Sequence, residues 1–201
     1  MTSKYNYLAK PRIYYQNLDT LDRLREYVSQ KLEHPLKATA KNTVFSNNGT
    51  SDIMIIGEAP GADEDEQGQP FVGRSGQLLM KIFESIGLTR EKLYITNLVP
   101  WRPPLNRNPT FEEMDFFLPI MKKHIRCKDP KVIVLLGGII TKALISKDIV
   151  ISKVRGTFID LEIEGKTYKV LPSFHPSYLL RSPMMKKLAW EDMCTLKKEI
   201  I

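Results

Sequence analysis

Three short apolar runs alternate along this chain with segments of helical periodicity; they cover residues 53–56, 92–96 and 131–136. Runs of this length, bounded by polar or glycine residues, are typical of strands that are covered on both faces. Strands that alternate with helices favour a mostly parallel sheet between two helical layers. The pattern therefore predicts an α/β fold, a three-layer α/β/α sandwich around a central, mostly parallel four-stranded sheet.

The remaining patterns predict the elements around that sheet. Residues 157–163 and 166–171 alternate between apolar and polar side chains on either side of Glu164-Gly165. This pattern is typical of a β-hairpin. Thr110, followed by two glutamates, is a suitable N-cap for a helix. Helical spacing predicts further helices over 18–32, 75–86, 139–145 and 183–200, and a loop over 57–73. We expect one domain over 1–201, on which residues 1–36 pack as an N-terminal helical extension.

Composition narrows the class of protein. The 30 Lys and Arg residues against 23 Asp and Glu residues give a net charge of +7, which favours a polyanionic partner such as nucleic acid but does not require one. No apolar stretch approaches the roughly 18 residues of a membrane-spanning helix, and the first residues lack the apolar core of a secretory signal. We therefore expect a cytoplasmic protein that makes no membrane contact and is a monomer.

The two cysteines, Cys127 and Cys194, lie far apart and have no partner spacing. A disulfide framework is therefore not indicated, and one chain cannot supply four thiolates to a metal or an iron-sulfur cluster.

Four unusual loops follow the predicted strands, at the edge where open α/β sheets bind ligands. Their sequences are GEAPGADEDEQGQPFVGRSG, NLVPWRPPLNRNP, the pair Gly137-Gly138, and SFHPSYLLR. Together, over residues 52–195, they resemble the uracil-DNA glycosylase superfamily, and most closely its family 4. The resemblance implies an enzyme that flips uracil out of DNA and hydrolyses the N-glycosidic bond, leaving an abasic site for base excision repair.

Two residues are candidates for holding the base. Phe71 lies between glycines in a loop, an unusual place for a large apolar side chain unless a base covers it or it plugs the core below. Asn97 directly follows a strand, and its amide can pair with both O4 and N3–H of uracil while mismatching cytosine; the other interpretation is a loop-capping asparagine. By resemblance, Ala59 and Asn106 also match positions of the substrate pocket.

Three residues are candidates for the chemistry. His175, after the last strand, can donate a hydrogen bond to the negative charge that develops on uracil O2. Glu58 and Glu64 match residues that the resemblance implicates in activity. Ala59 stands where other branches of the superfamily place a water-activating Asp or Asn, so the identity of a general base stays open. Asp63 and Asp65 can equally belong to a solvated acidic loop.

Contact with a duplex requires phosphate ligands and an apolar wedge that fills the gap left by the flipped base. Leu179 and Leu180 are candidates for the wedge, and we expect one of them to be buried instead. Ser177 and Arg181 are candidates for phosphate contact. Arg74 is a further candidate, along with Arg102, Arg107 and Lys153.

The chain departs from the family at the cofactor. Family 4 enzymes hold a [4Fe-4S] cluster on four cysteines, and the corresponding positions here are Lys31, His34, Trp101 and Phe117. We therefore expect no cofactor and no metal, and we predict that the aromatic residues form an apolar plug in place of the cluster. Two alternatives to a uracil-DNA glycosylase remain: a noncatalytic DNA-binding or scaffold protein with the same fold, and a glycosylase for another base such as hypoxanthine.

Overall fold

A single five-stranded sheet organises the chain in the computed structural model, which describes residues 18–200. The start of the predicted N-terminal extension, residues 1–17, lies outside the described part, as does residue 201. The strands are β1 (Ile53–Gly57), β2 (Tyr94–Asn97), β3 (Val132–Leu136), β4 (Ile159–Ile163) and β5 (Lys166–Ser173). The helices are α1 (Leu21–Glu26), α2 (Pro35–Thr39), α3 (Ala62–Gln67), α4 (Arg74–Glu84), α5 (Phe111–Lys128), α6 (Gly138–Leu144), α7 (Ile151–Val154), α8 (Pro176–Arg181) and α9 (Lys186–Ile200).

The strand order is β2-β1-β3-β5-β4, with four parallel strands and an antiparallel β4 at one edge. The predicted α/β class and the hairpin are confirmed. The predicted count of four strands is wrong, because β4 pairs with β5 along its whole length and adds a fifth strand to the sheet.

Alternate residues of the central strands enter two separate cores, which accounts for the three layers. Met54 and Ile56 of β1 pack with α1, α5 and α6, whereas Ile53 and Ile55 pack with α4 and α9. Side chains alternate across a strand, so a run of apolar residues is needed when both faces are covered.

The N-terminal region differs from the single predicted helix over 18–32. The α1 helix begins at Leu21 and continues as a π-helical turn over Tyr27–Lys31, after which His34 caps the short α2. Leu24 and Val28 point into the main core, so this region is part of the folded domain. Within residues 18–200, no helix has the length and apolar character that crossing a membrane requires.

The predicted loop over 57–73 contains a helix, α3, that sequence analysis missed. Glu64 at its third position accepts a hydrogen bond from the backbone N–H of Gly61, and this interaction caps the helix start. The acidic residues therefore serve the first turn of a short helix, where the helix dipole favours negative charge. Asp65 is buried and accepts hydrogen bonds from the backbone N–H groups of Lys41 and Asn42, so it is not a solvated acid.

The sheet order reverses at β1. The chain leaves β1 for β2 on one side, whereas β3 lies on its other side, so the carboxyl ends of these strands surround a crevice. Open α/β sheets bind ligands at such a point. Three polar residues at or just beyond the ends of β1, β2 and β5 meet there, namely Glu58, Asn97 and His175.

Candidate active site

A pocket of about 360 Å³ lies beyond the carboxyl ends of β1, β2 and β5. It is lined by Glu58, Ala59, Pro60, Gly61, Glu64, Phe71, Ser75, Asn97, Asn106, Arg107, Asn108, Pro109, His175 and Ser177. The structure thus gathers all the residues predicted for catalysis and base binding into one pocket. Among the predicted DNA contacts, Ser177 lines the pocket, whereas Leu179, Leu180, Arg181 and Arg74 do not.

The Phe71 ring forms an apolar wall of the pocket beside the Asn97 amide. A Cβ at Gly57 would lie 2.6 Å from Phe71 Cζ and 2.4 Å from Asn97 Oδ1, so only glycine lets the two side chains come this close. Phe71 itself has a φ of 53°, in the left-handed region that residues with a Cβ rarely adopt. Strain of this kind persists only where the surroundings hold it.

Two charged side chains hold the Phe71 loop in this conformation. Glu64 Oε1 accepts hydrogen bonds from the N–H groups of Val72 (2.9 Å) and Gly73 (2.8 Å). On the other side, the Arg90 guanidinium donates to the carbonyl oxygens of Phe71 and Pro70. Glu64 therefore acts on the loop geometry. Arg90 supports the same loop and was missed from the sequence, because nothing in its local sequence marks it.

Asn97 ends β2 in register with Gly57 of β1 and is almost fully buried. Among residues 18–200, no hydrogen bond uses its side-chain amide, although that amide lines the pocket. A buried amide normally finds hydrogen-bond partners. The Asn97 amide is therefore available to a ligand that offers both a donor and an acceptor.

His175 precedes α8 as its N-cap residue, and this role defines its tautomer. Its Nδ1 accepts a hydrogen bond from the backbone N–H of Ser177 at 3.1 Å, and the Ser177 hydroxyl lies 2.7 Å from the same nitrogen. Burial, with a smaller contribution from the Arg181 charge, lowers the pKa of His175 to about 4. The ring is therefore neutral at physiological pH, and its proton lies on Nε2, which is the donor left for a ligand.

Glu58 follows β1 and lies beside His175 across Gly137. A Cβ at Gly137, where φ is 106°, would lie 2.9 Å from Glu58 Oε1 and 3.2 Å from the His175 Cβ. Burial raises the pKa of Glu58 to about 7, against the smaller opposing effects of a hydrogen bond with the Ile139 backbone and of the Arg181 charge. A carboxyl group that titrates near neutral pH beside a neutral histidine is characteristic of catalytic sites.

The two leucines of α8 have different environments. Leu179 is fully buried against Phe174 and Ala189, whereas Leu180 is 36% exposed. This agrees with the expectation that one of them is a core residue, and it leaves Leu180 as the wedge candidate. Arg181 and Arg74 are exposed, as phosphate contacts require.

The loop after β2 contributes Asn106 to the pocket, but its arginines are engaged within the protein. Arg102 Nε donates to Asn106 Oδ1 at 2.7 Å. Arg107 forms a bidentate ion pair with Glu113, with N–O distances of 2.6 and 2.8 Å. These two guanidinium groups therefore stabilise the loop. The sequence predicted phosphate contacts for them instead.

A buried polar network behind the pocket was also missed. Asp192 of α9 is fully buried, accepts a hydrogen bond from Ser173 Oγ at 2.6 Å, and pairs with Arg155. Ser173 ends β5 two residues before His175, so the network links α9 to the strand that carries the histidine. Asp192 lies in a helix of ordinary charged composition, where no sequence signal distinguishes a buried acid.

Comparison with known proteins identifies the family to which this fold belongs. Residues 44–194 match the family model of the uracil DNA glycosylase superfamily. A type-4 uracil-DNA glycosylase of Saccharolobus solfataricus is 38% identical over 189 residues, which cover 91% of this chain and 88% of the relative. A type-4 uracil-DNA glycosylase of Thermotoga maritima is 40% identical over 182 residues, which cover 87% of this chain and 93% of the relative.

The chain therefore belongs to the uracil DNA glycosylase superfamily. The relatives that match over 87–91% of the chain include several type-4 uracil-DNA glycosylases, which confirms the family predicted from the four loops.

The residues that the resemblance assigns to the cluster positions do not fit an iron-sulfur cluster, because none of them supplies a thiolate. His34, Trp101 and Phe117 are buried and pack together with Phe116; the His34 ring lies 4.8 Å from each phenylalanine ring and 6.2 Å from the indole. Lys31 is exposed and pairs with Glu26 at 3.2 Å. Across residues 18–200, no group of three or more His, Cys, Asp and Glu residues could hold a metal ion.

Proposed function

We propose that this chain is a uracil-DNA glycosylase that flips uracil out of DNA and hydrolyses its N-glycosidic bond. The observation that carries the proposal is one pocket that combines an aromatic wall (Phe71), an available amide (Asn97) and a neutral histidine donor (His175). Each of these groups matches one feature of a flipped uracil: its face, its pairing edge and its O2 atom. The names of the curated relatives agree with this activity.

His175 stabilises the departing base. As the bond between C1′ and N1 breaks, its electron pair moves into the uracil ring and negative charge develops on O2. A donor fixed at this position before reaction stabilises the charge without reorganisation. Because Ser177 occupies Nδ1, the Nε2–H of a neutral ring supplies this hydrogen bond.

Glu58 acts on the sugar side of the reaction. Cleavage leaves positive charge on the deoxyribose, which an ionised carboxylate stabilises. Water then adds to C1′ and loses a proton, and Glu58 is the group in the pocket whose pKa is suited to accept it. Glu64 serves as a positioning residue, because its carboxylate holds the Phe71 loop.

The activity is tested by incubating the purified protein with oligonucleotides that contain uracil, hypoxanthine, xanthine or a thymine mismatch, single-stranded and duplex, without added metal. We expect release of free uracil and intact, alkali-labile strands. Asn97→Asp, which replaces an amide donor with an acceptor, should lose uracil release by about two or more orders of magnitude. Release of another base in preference to uracil, or of no base, would contradict the proposal and favour a glycosylase for another base or a noncatalytic DNA-binding protein.

The pH dependence of the single-turnover rate should reflect Glu58. If its ionised form is required, the rate falls as the pH drops through about 7, because the carboxylate becomes protonated. His175, with a pKa of about 4, stays neutral over this range and adds no further pH dependence to the rate. Glu58→Gln should lower the rate and remove the pH dependence. If the rate of Glu58→Gln still fell near pH 7, the titration would belong to another group.

We further propose that the enzyme works without an iron-sulfur cluster, as a monomer in the cytoplasm. The packing of His34, Trp101 and Phe117 supports the first point, since a buried imidazole and two apolar rings, none of which supplies a thiolate, fill three of the four cluster positions. Iron analysis and a visible spectrum of anaerobically purified protein test it, and stoichiometric iron would overturn it. Sedimentation at several concentrations tests the monomer, and cell fractionation tests the location.

A further inference from the structure

Leu105 is presented to solvent at the tip of the loop after β2, with 96% of its surface exposed. A single exposed leucine is common on protein surfaces and by itself has no meaning. Leu105, however, also has a φ of 56°, and Asn106 follows with a φ of 55°. A residue with a Cβ is disfavoured in this left-handed conformation, and a branched apolar side chain gains no burial here to offset the cost.

The surroundings hold this conformation firmly. Pro103 and Pro104 precede Leu105, and both have a restricted φ. Beyond the tip, the Asn106 side chain accepts from Arg102, and Arg107 is clamped by Glu113. Rigid bracing of a strained, exposed apolar side chain is typical of a contact that has been prepared for a partner.

The position of the loop indicates which partner. The four residues that follow Leu105, residues 106–109, line the candidate active site, so the leucine lies at its mouth. The neighbouring guanidinium groups are engaged within the protein, Arg102 with Asn106 of the same loop and Arg107 with Glu113 of α5. The tip of the loop therefore places an apolar side chain where a nucleic acid would approach. Because the apolar surfaces of DNA are the faces of its bases, the leucine would contact these faces.

We propose that Leu105 is a second apolar wedge, which enters the base stack of duplex DNA next to the flipped nucleotide. This inference rests on the proposed function. Leu180, the other wedge candidate, lies in a different segment, at the end of α8. An apolar side chain inserted between base steps offsets part of the stacking lost when a nucleotide leaves the duplex. A single strand has no such stack to open, so Leu105 acts on duplex substrates.

The test compares Leu105→Asn with Leu105→Met. Asparagine tolerates the left-handed conformation but is polar, whereas methionine keeps the apolar bulk. We expect Leu105→Asn to slow single-turnover uracil release from duplex DNA by about tenfold or more and from single strands by less than about twofold. Leu105→Met should stay close to wild type on both substrates, and both variants should unfold at temperatures close to that of the wild type.

A second readout separates this inference from the proposed activity. A duplex with a tetrahydrofuran abasic analogue and a neighbouring 2-aminopurine undergoes no reaction, and its fluorescence rises when the step is unstacked. Wild type should raise the signal more than Leu105→Asn does. Equal signals, or equal rates on duplex DNA in an active enzyme, would overturn the wedge alone. Absence of uracil release by wild type would overturn the proposed function, and the fluorescence would still decide the role of Leu105.

Discussion

His175→Ala is expected to lower single-turnover uracil release by about two to three orders of magnitude, the usual cost of removing one donor to a developing oxyanion. The structure gives the reason: Ser177 satisfies Nδ1, so the ring acts through Nε2–H. Because the ring is neutral well above its pKa of about 4, this loss should be the same across pH 6–9.

The alanine variant also removes the N-cap of α8, which costs about 1 kcal/mol of stability and needs its own control. His175→Asn keeps an oxygen that can accept from the Ser177 N–H, since asparagine is a favoured N-cap. It should therefore retain the thermal stability of the wild type while losing most of the activity. An asparagine variant that is as active as the wild type would show that His175 serves only as a cap.

Trp101→Ala is expected to destabilise the protein by about 3–5 kcal/mol, the typical cost of truncating a buried tryptophan. The indole is fully buried, packs edge to face on Phe117 at 5.6 Å and donates to Thr43 Oγ1 at 2.9 Å. For a chain of this size, the loss corresponds to a melting temperature lower by about 6–20 °C. Thermal unfolding followed by circular dichroism measures it.

Trp101→Phe is the matched control, because it keeps an aromatic ring and loses only part of the volume and the hydrogen bond to Thr43. Its destabilisation should be less than half that of Trp101→Ala. Since Trp101 anchors the loop that carries Asn106 into the pocket, Trp101→Ala should also slow uracil release at temperatures where it is still folded. A melting temperature within about 2 °C of the wild type would contradict the structural role of the plug.

The predictions from sequence succeeded where local pattern and burial agree. Continuous apolar runs identified β1 and β3, since a strand covered on both faces has no polar alternation. The alternating hairpin was identified as well, although its strand β4 was not counted in the sheet. The α3 helix was missed because its cap depends on Glu64 reaching back to Gly61, a contact that composition does not reveal.

For the pocket, the sequence by itself determined which chemical groups are present, because Glu58, Phe71, Asn97 and His175 each follow a strand or lie in a glycine-rich loop. Tertiary structure alone decided what these groups can do. Burial set the pKa of Glu58 near 7 and kept His175 neutral, and Ser177 selected the ring nitrogen that faces the ligand. The desolvation comes from residues distant in the chain, so no local pattern encodes it. The Ser177 contact is local, but it forms only because α8 begins directly after His175.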